Sequence, residues 1–319
     1  MQWQPQGDQH SRIARAEMLR TIREFFYQRQ VLEVETPAVS RAANTDPFID
    51  SFKVVTGSQH RYLHTSPEYA MKRLLVAGSG DIYQICKVWR NEPAARHHNA
   101  EFTMLEYYRL GFTLEQLMDE VDRLFQTLLP NLKKGSHYHT YQALFLDNLG
   151  IDPHTIADSA LQAVLTKHVP EFQGDLTRQA ALDLLLTHCI EPKLPTDCLS
   201  FISDYPASQS ALAETETLPG NPEIRVAKRF EVYVGALELG NGYQELTDPI
   251  ANEAVLESEL NTRQALGLEV VPKDHNLLSA MKSGMPACSG VAIGVDRLLM
   301  LATGSSHLSD VLNFGWENA

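Results

Sequence analysis

The 319 residues carry 44% hydrophobic and 21% charged side chains, the balance of a folded protein with enough chain for a sizeable core in one large domain or two ordinary ones. A net charge of −13 opposes long-range attraction to a polyphosphate backbone, so no stable nucleic-acid partner is expected and any such contact would be local. No apolar run approaches the roughly 18 residues that span a bilayer and no signal core follows Met1, which argues against a membrane role and makes a cytoplasmic address the default expectation.

In chain order, Leu19, Ile22 and Phe26 fall at helical spacing within residues 11 to 30, and Val31 to Pro37 follows as a strand. Pro37 cannot donate to a ladder, so it ends that strand or sits at an edge. Tyr62 to Glu68 reads as strand and turn, then Tyr69 to Val76 as a helix stopping at Gly78. Residues 81 to 108 read as a hairpin whose charged, turn-forming middle runs from Pro93 to Ala100. Leu114 to Leu129 is an amphipathic helix. Residues 130 to about 200 form a Pro- and Gly-broken helical stretch, in which His137-Tyr-His139 lacks a nearby third ligand and reads as polar residues ahead of a helix. From Ile224 to Gly242 the pattern returns to strand. Asp248 and Pro249 then supply an N-cap and first helical position, and Cys288 to Arg297 is a short glycine-broken strand feeding the helix Leu298 to Thr303. Hairpin-joined strands with long helices between groups of them predict an α+β fold on an antiparallel sheet.

Several common chemistries are missing. No Gly precedes a Lys, so no P-loop exists, and Gly240-Asn-Gly242-Tyr-Gln-Glu245 lacks the last glycine and the βαβ setting of a dinucleotide fingerprint. Neither H-E-x-x-H nor G-x-S-x-G occurs. Cys86, Cys189, Cys198 and Cys288 include no C-x-x-C pair and are too few for a disulfide framework.

What remains is a set of ionisable residues near strand ends. Arg90 and Arg297 are fixed cations whose planar forks suit phosphate oxygens, Glu231 and Glu238 suit a metal held against those phosphates, and Glu68 and Glu245 are left for an amine. Taken alone, each reads better as a solvated or ion-paired residue; their joint order is the signal.

That order resembles the class II aminoacyl-tRNA synthetases: a helix and strand ending at Pro37, a hairpin with Arg90-Asn-Glu92, and a glycine-broken strand from Gly290 leading to Arg297. Thr65-Ser-Pro-Glu68, His98-Asn-Ala-Glu-Phe-Thr-Met-Leu-Glu-Tyr107 and Glu238-Leu-Gly-Asn-Gly-Tyr-Gln-Glu-Leu246 bring the likeness to the lysyl branch. Two departures matter. With Pro37 so early there is no room ahead of it for an anticodon-binding barrel, and Ser66 and Ala292 stand where the synthetases favour Ala and Gly. Both departures are similar to those of the elongation factor P lysyltransferase family, which attaches (R)-β-lysine to a lysine of that factor.

The resemblance implies one synthetase-like catalytic domain over residues 1–319, with a helical insertion at about 130–215 and no anticodon-binding domain. It implies ATP and Mg²⁺, a homodimer formed through residues 11 to 37, and elongation factor P as partner, with (R)-β-lysine or lysine as substrate. Arg90 would meet the α-phosphate and Arg297 the γ-phosphate. Asn91, Glu92, His98, Asn99, Leu239 and Gly294 would surround the nucleotide, and Phe102 would stack beneath adenine. Glu231 and Glu238 would hold Mg²⁺. Glu245 and Tyr108 would take the side-chain ammonium and Glu68 the other amine, with Ser66, Pro67, Asn241 and Ala292 shaping the substrate pocket. Two alternatives stay open on the sequence: a truncated synthetase acting on tRNA, and a paralogue that senses an amino acid without chemistry. An ammonia ligase is disfavoured by Glu68 and Glu245, since an aspartate pocket should present cations.

Overall fold

The computed structural model describes residues 3–132, 134–172, 174, 176–218 and 220–319. Helix α1 (Gln9–Tyr27) is capped by Asp8, whose carboxylate accepts from the Ser11 N–H at 2.8 Å. It buries Met18, Ile22, Phe25 and Phe26 on one stripe. The strand expected to end at Pro37 shrinks to β1 (Leu32–Glu33), an edge strand parallel to β5. Strands β2 (Val39–Ser40), β3 (Lys53–Thr56) and β4 (Gln59–Leu63) make a separate small sheet in the order β2-β4-β3. Helix α2 (Glu68–Val76) follows, and β5 (Ile82–Trp89) and β6 (Glu101–Leu110) form the expected hairpin, in register from Ile82 opposite Tyr108 to Trp89 opposite Glu101. Helix α3 (Leu114–Leu128) starts at a capping box between Thr113 and Gln116.

Within residues 130 to 215 the chain is not helical throughout. Strand β7 (His137–Thr140) carries the two histidines and pairs in parallel with β8 (Ser200–Pro206), so both join the main sheet. Between them lie α4 (Tyr141–Leu149), α5 (Asp158–His168), α6 (Arg178–Leu185), a π turn over Leu186–Ile190 and a 3₁₀ turn over Glu191–Lys193. These helices bury Tyr141, Phe145, Leu161, Leu182 and Leu185 in a core of their own against Ile202, Tyr205 and Tyr233.

Strands β9 (Thr215–Thr217), β10 (Arg225–Val234) and β11 (Leu237–Gln244) come next. Helix α7 (Pro249–Ala265) has Asp248 as N-cap and Pro249 first, and α8 (His275–Lys282) precedes β12 (Cys288–Gly294). Helix α9 (Val295–Thr303) begins three residues before the expected Leu298, because Gly294 is already extended and caps it. The large sheet runs β1-β5-β6-β12-β11-β10-β8-β7, with β9 beside β10. It is antiparallel except at its two edges, where β1 and β7 pair in parallel.

Because successive strand residues face opposite sides, one face is apolar and the other is left for chemistry. Leu105, Tyr107, Val291, Ile293, Phe230 and Val232 face α1, α3 and α9 and form the main core with Phe26, Leu117 and Leu298. Asp296 is buried there, accepting from the Thr103 N–H at 2.7 Å while pairing with Arg15, and so ties α1, β6 and α9 together. On the opposite face α2 and α8 cover one end around Tyr108 and Cys288, and helices α4 to α6 cover the other around Ile202 and Tyr205. The uncovered sheet between them is the floor of a cleft.

Candidate active site

Register places the chemistry. Glu106 on β6 lies opposite Ala292 on β12, which lies opposite Asn241 on β11, which lies opposite Glu231 on β10. Directly opposed residues share a face, so these four stand in one row across the floor. Two residues along, Tyr108, Gly290, Tyr243 and Arg229 make the next row. A methyl at Gly290 would lie 2.4 Å from the Tyr108 ring and 2.8 Å from Glu245 Oε1. Only glycine lets Tyr108 lie across the strand beside Glu245.

At this end of the cleft the carboxylates are held tightly. The Tyr108 hydroxyl donates to Glu106 Oε1 and the Ser66 hydroxyl to Glu106 Oε2, each at 2.7 Å, and the Glu68 N–H donates to Ser66 Oγ at 2.9 Å. Burial pushes the Glu106 carboxyl up to about 8, Glu68 adds to the rise, and the Ser66 and Tyr108 hydroxyls only partly oppose it. Burial also raises Glu245, against the pull of Lys72. The Lys72 ammonium stands 2.6 Å from Glu68 Oε1 and 2.6 Å from Glu245 Oε2. Lys72 carries no local sequence signal for the site, whereas Glu106 lies within the motif His98 to Tyr107. The signal for Glu106 is alternation: Phe102, Met104, Glu106 and Tyr108 share the cleft face of β6, and Phe102 and Tyr108 are both expected site residues.

The other end is cationic. Arg90 leaves the end of β5 with its guanidinium 5.2 Å over the Phe102 ring, within cation–π reach. Among the described residues its side chain makes no ion pair or hydrogen bond, and its Nε is buried without a partner. Arg297, in the first turn of α9, donates from Nη1 to the Glu238 carbonyl at 2.7 Å and from Nη2 to His98 Nε2 at 3.0 Å. Burial and the Arg297 charge lower the His98 pKa, so the ring is neutral and accepts. Glu92, Asn99, Leu239 and Gly294 also line this cleft of about 410 Å³, which runs unbroken to Ser66, Glu68, Asn241, Glu245 and Ala292. The Asn99 amide is committed elsewhere, donating to the Glu101 carbonyl at 2.6 Å and accepting from the Trp316 N–H at 3.0 Å.

Three expected site residues do not reach the cleft wall. Pro67 is the N-cap of α2 and faces a neighbouring groove with Pro37 and Arg41. The Asn91 side chain turns outward to donate to Asp50 Oδ2 at 2.9 Å, bracing the loop that carries Phe48 and Ile49. Glu231 lies in the floor row but under helices α4 to α6: it is ion-paired with Arg229 and accepts from the Tyr205 and Tyr233 hydroxyls at 2.6 and 2.5 Å. Glu238 is different, with 39% of its side chain open. Among the described residues no three His, Cys, Asp or Glu side chains converge as a metal cage.

An antiparallel sheet whose cleft holds arginines at one end and braced carboxylates at the other is the catalytic domain of a class II synthetase. The chain belongs to that family: it matches "tRNA synthetases class II (D, K and N)" over residues 5–318. Within it, the chain is 43% identical over 328 residues to the "Elongation factor P--(R)-beta-lysine ligase" of Pectobacterium atrosepticum, covering 99% of this chain and 98% of that protein. It is 44% identical to the ligases of the same name from Vibrio atlanticus, over 98% of this chain and 97% of that protein, and Photorhabdus laumondii, over 99% and 98%. Likeness of this extent over both full lengths places the chain among these ligases. No helix of the described residues is long and apolar enough to cross a membrane.

Proposed function

We propose that this protein uses ATP to activate (R)-β-lysine and transfers it to the ε-amine of a lysine on elongation factor P, the reaction that its relatives' name describes. The observation that carries the reading is the polarity of the cleft, with Arg90, whose side chain has no partner among the described residues, at one end and Glu68, Glu106 and Glu245 at the other. A diamino acid has the matching polarity: its carboxylate goes toward the phosphates and its two ammonium groups toward the three carboxylates.

In the first step a carboxylate oxygen of the amino acid attacks the α-phosphorus, the bond to the bridging oxygen of pyrophosphate breaks, and an acyl-adenylate forms. Arg90, already desolvated at Nε, stabilises the negative charge that builds on the α-phosphate without reorganising. Arg297, held by Glu238 and His98, grips the outer phosphates. Phe102 supports the adenine. In the second step the acceptor amine attacks the acyl carbon, AMP leaves with the bonding pair, and the amine gives up a proton. The step requires no nucleophile from this chain, so its task is positioning.

A divalent cation carried by ATP needs only one or two carboxylates besides phosphate oxygens, and the open Glu238 fits that role. Glu231 would join only by giving up Arg229 or a tyrosine donor. When bound, Mg²⁺ would neutralise phosphate charge during the displacement. A homodimer is part of the same reading, supported by the exposed apolar side chains Ile13, Tyr27 and Leu32 on α1 and β1.

The test is to supply ATP and radiolabelled β-lysine or lysine together with tRNA and elongation factor P. Label is expected on the protein factor, and label on tRNA alone overturns the assignment.

A further inference from the structure

A lysine inside a pocket built for ammonium groups is unexpected, and Lys72 is such a residue. It stands on α2 one turn after Glu68, is 0% exposed, and its ammonium touches one oxygen of Glu68 and one of Glu245. It does not line the cleft, whereas both carboxylates do. Lys72 therefore lies behind them, on the side away from the ligand. Burial alone would discharge it; the two carboxylates together raise its pKa and hold it charged.

Resting on the reading of a diamino-acid substrate, we propose that Lys72 is a positioning residue of the amino-acid pocket: it fixes one oxygen of Glu68 and one of Glu245 from behind, leaving the other oxygens to meet the two substrate amines. It also sets the charge. Glu68, Glu106 and Glu245 with Lys72 amount to two net negative charges when all are ionised, which two substrate ammonium groups neutralise. Without Lys72, Glu68 and Glu245 would lose their shared cation, a further carboxyl would tend to keep a proton, and both would be free to turn from the substrate. The substrate does not replace Lys72, because the lysine is sealed from solvent and anchored to the helix that carries Glu68.

A purely structural ion pair would change stability alone. The Arg109–Glu120 pair at 3.2 Å, which joins β6 to α3 outside the cleft wall, is a comparison of that kind. Pyrophosphate exchange driven by lysine or β-lysine separates the two roles. Lys72→Met keeps the bulk of the side chain and is expected to raise the half-saturating diamino acid at least about tenfold, with half-saturating ATP within about twofold. Glu120→Gln is expected to lower the melting temperature and leave both constants in place. If Lys72→Met does not fold, Lys72→Arg keeps the charge but moves it, and is expected to raise the half-saturating diamino acid about threefold or more. A folded Lys72 variant with an unchanged half-saturating diamino acid would overturn the brace and leave the proposed reaction standing. No exchange by the unaltered chain with either diamino acid would overturn the reaction and the brace together.

Discussion

The two ends of the cleft solve opposite problems in opposite ways. At the end proposed for the amines, Glu68, Glu106 and Glu245 each have a partner: Glu106 holds two hydroxyls, and Glu68 and Glu245 share an ammonium. At the end proposed for the phosphates, Arg90 has no side-chain partner among the described residues. The difference follows from what each charge can do when buried alone. A buried carboxylate is pushed toward its protonated form, as Glu106 is even with two hydroxyl donors, and bracing opposes that push; an arginine does not lose its proton and can wait unpaired. Preorganisation thus means neutralisation from behind at one end and deliberate vacancy at the other.

The largest break in this contrast is expected from Arg90→Ala, which removes a cation whose side chain has no partner among the described residues. The turnover of pyrophosphate exchange should fall about 10²- to 10³-fold at saturating substrates, measured beside an unchanged melting temperature. A smaller loss would mean that Arg297 does most of the phosphate work. Ala292→Gly acts at the other end, where its methyl lies in the floor row between Glu106 and Asn241. Moving an amine from the α to the β carbon changes where the substrate bends, and a methyl is worth about 1–3 kcal/mol in discrimination, so the ratio of kcat/KM values should shift toward α-lysine by roughly tenfold. An unmoved ratio would leave Ala292 as packing only.

The subtlest effect is a proton at Glu106. Its carboxyl is raised from 4.5 to about 8, so between those values the folded chain holds a proton that the unfolded chain has shed. Its contribution to stability is complete below about 4.5 and lost as pH rises through about 8, and Glu106→Gln should flatten that decline in melting temperature. An incoming ammonium favours the ionised form. Calorimetric titrations with a diamino acid in buffers of different ionisation enthalpy should therefore show proton release at about pH 7 that vanishes near pH 9. Equal heats in all buffers at pH 7 would place Glu106 outside the amine site.

Much of this was legible in the chain because it is local. The hairpin around Arg90, the Asp248–Pro249 helix start and the strand from Cys288 to Gly294 each depend on neighbours within a few residues, and their alternation or capping pattern is direct. What escaped depends on distant partners. Lys72 reads as an ordinary helix lysine until the fold brings Glu245 to it. Glu231 reads as a free carboxylate until Arg229, Tyr205 and Tyr233 close around it beneath helices α4 to α6. Strands β7 and β8 were lost among helices because their pairing joins segments about sixty residues apart, which no local period signals.

Strand β12 sits in the middle of the large sheet, between β6 and β11, although it is the last strand in the sequence. Thr103 and Asp296, which join β6 to the helix after it, are 193 positions apart. During synthesis the hairpin of β5 and β6 and that of β10 and β11 must therefore leave the ribosome with a gap between them. The cleft floor closes only when residues 288–294 slot into it, so neither end of the site can act on a nascent chain. Assembly of the active site and completion of the sheet become one late, cooperative event.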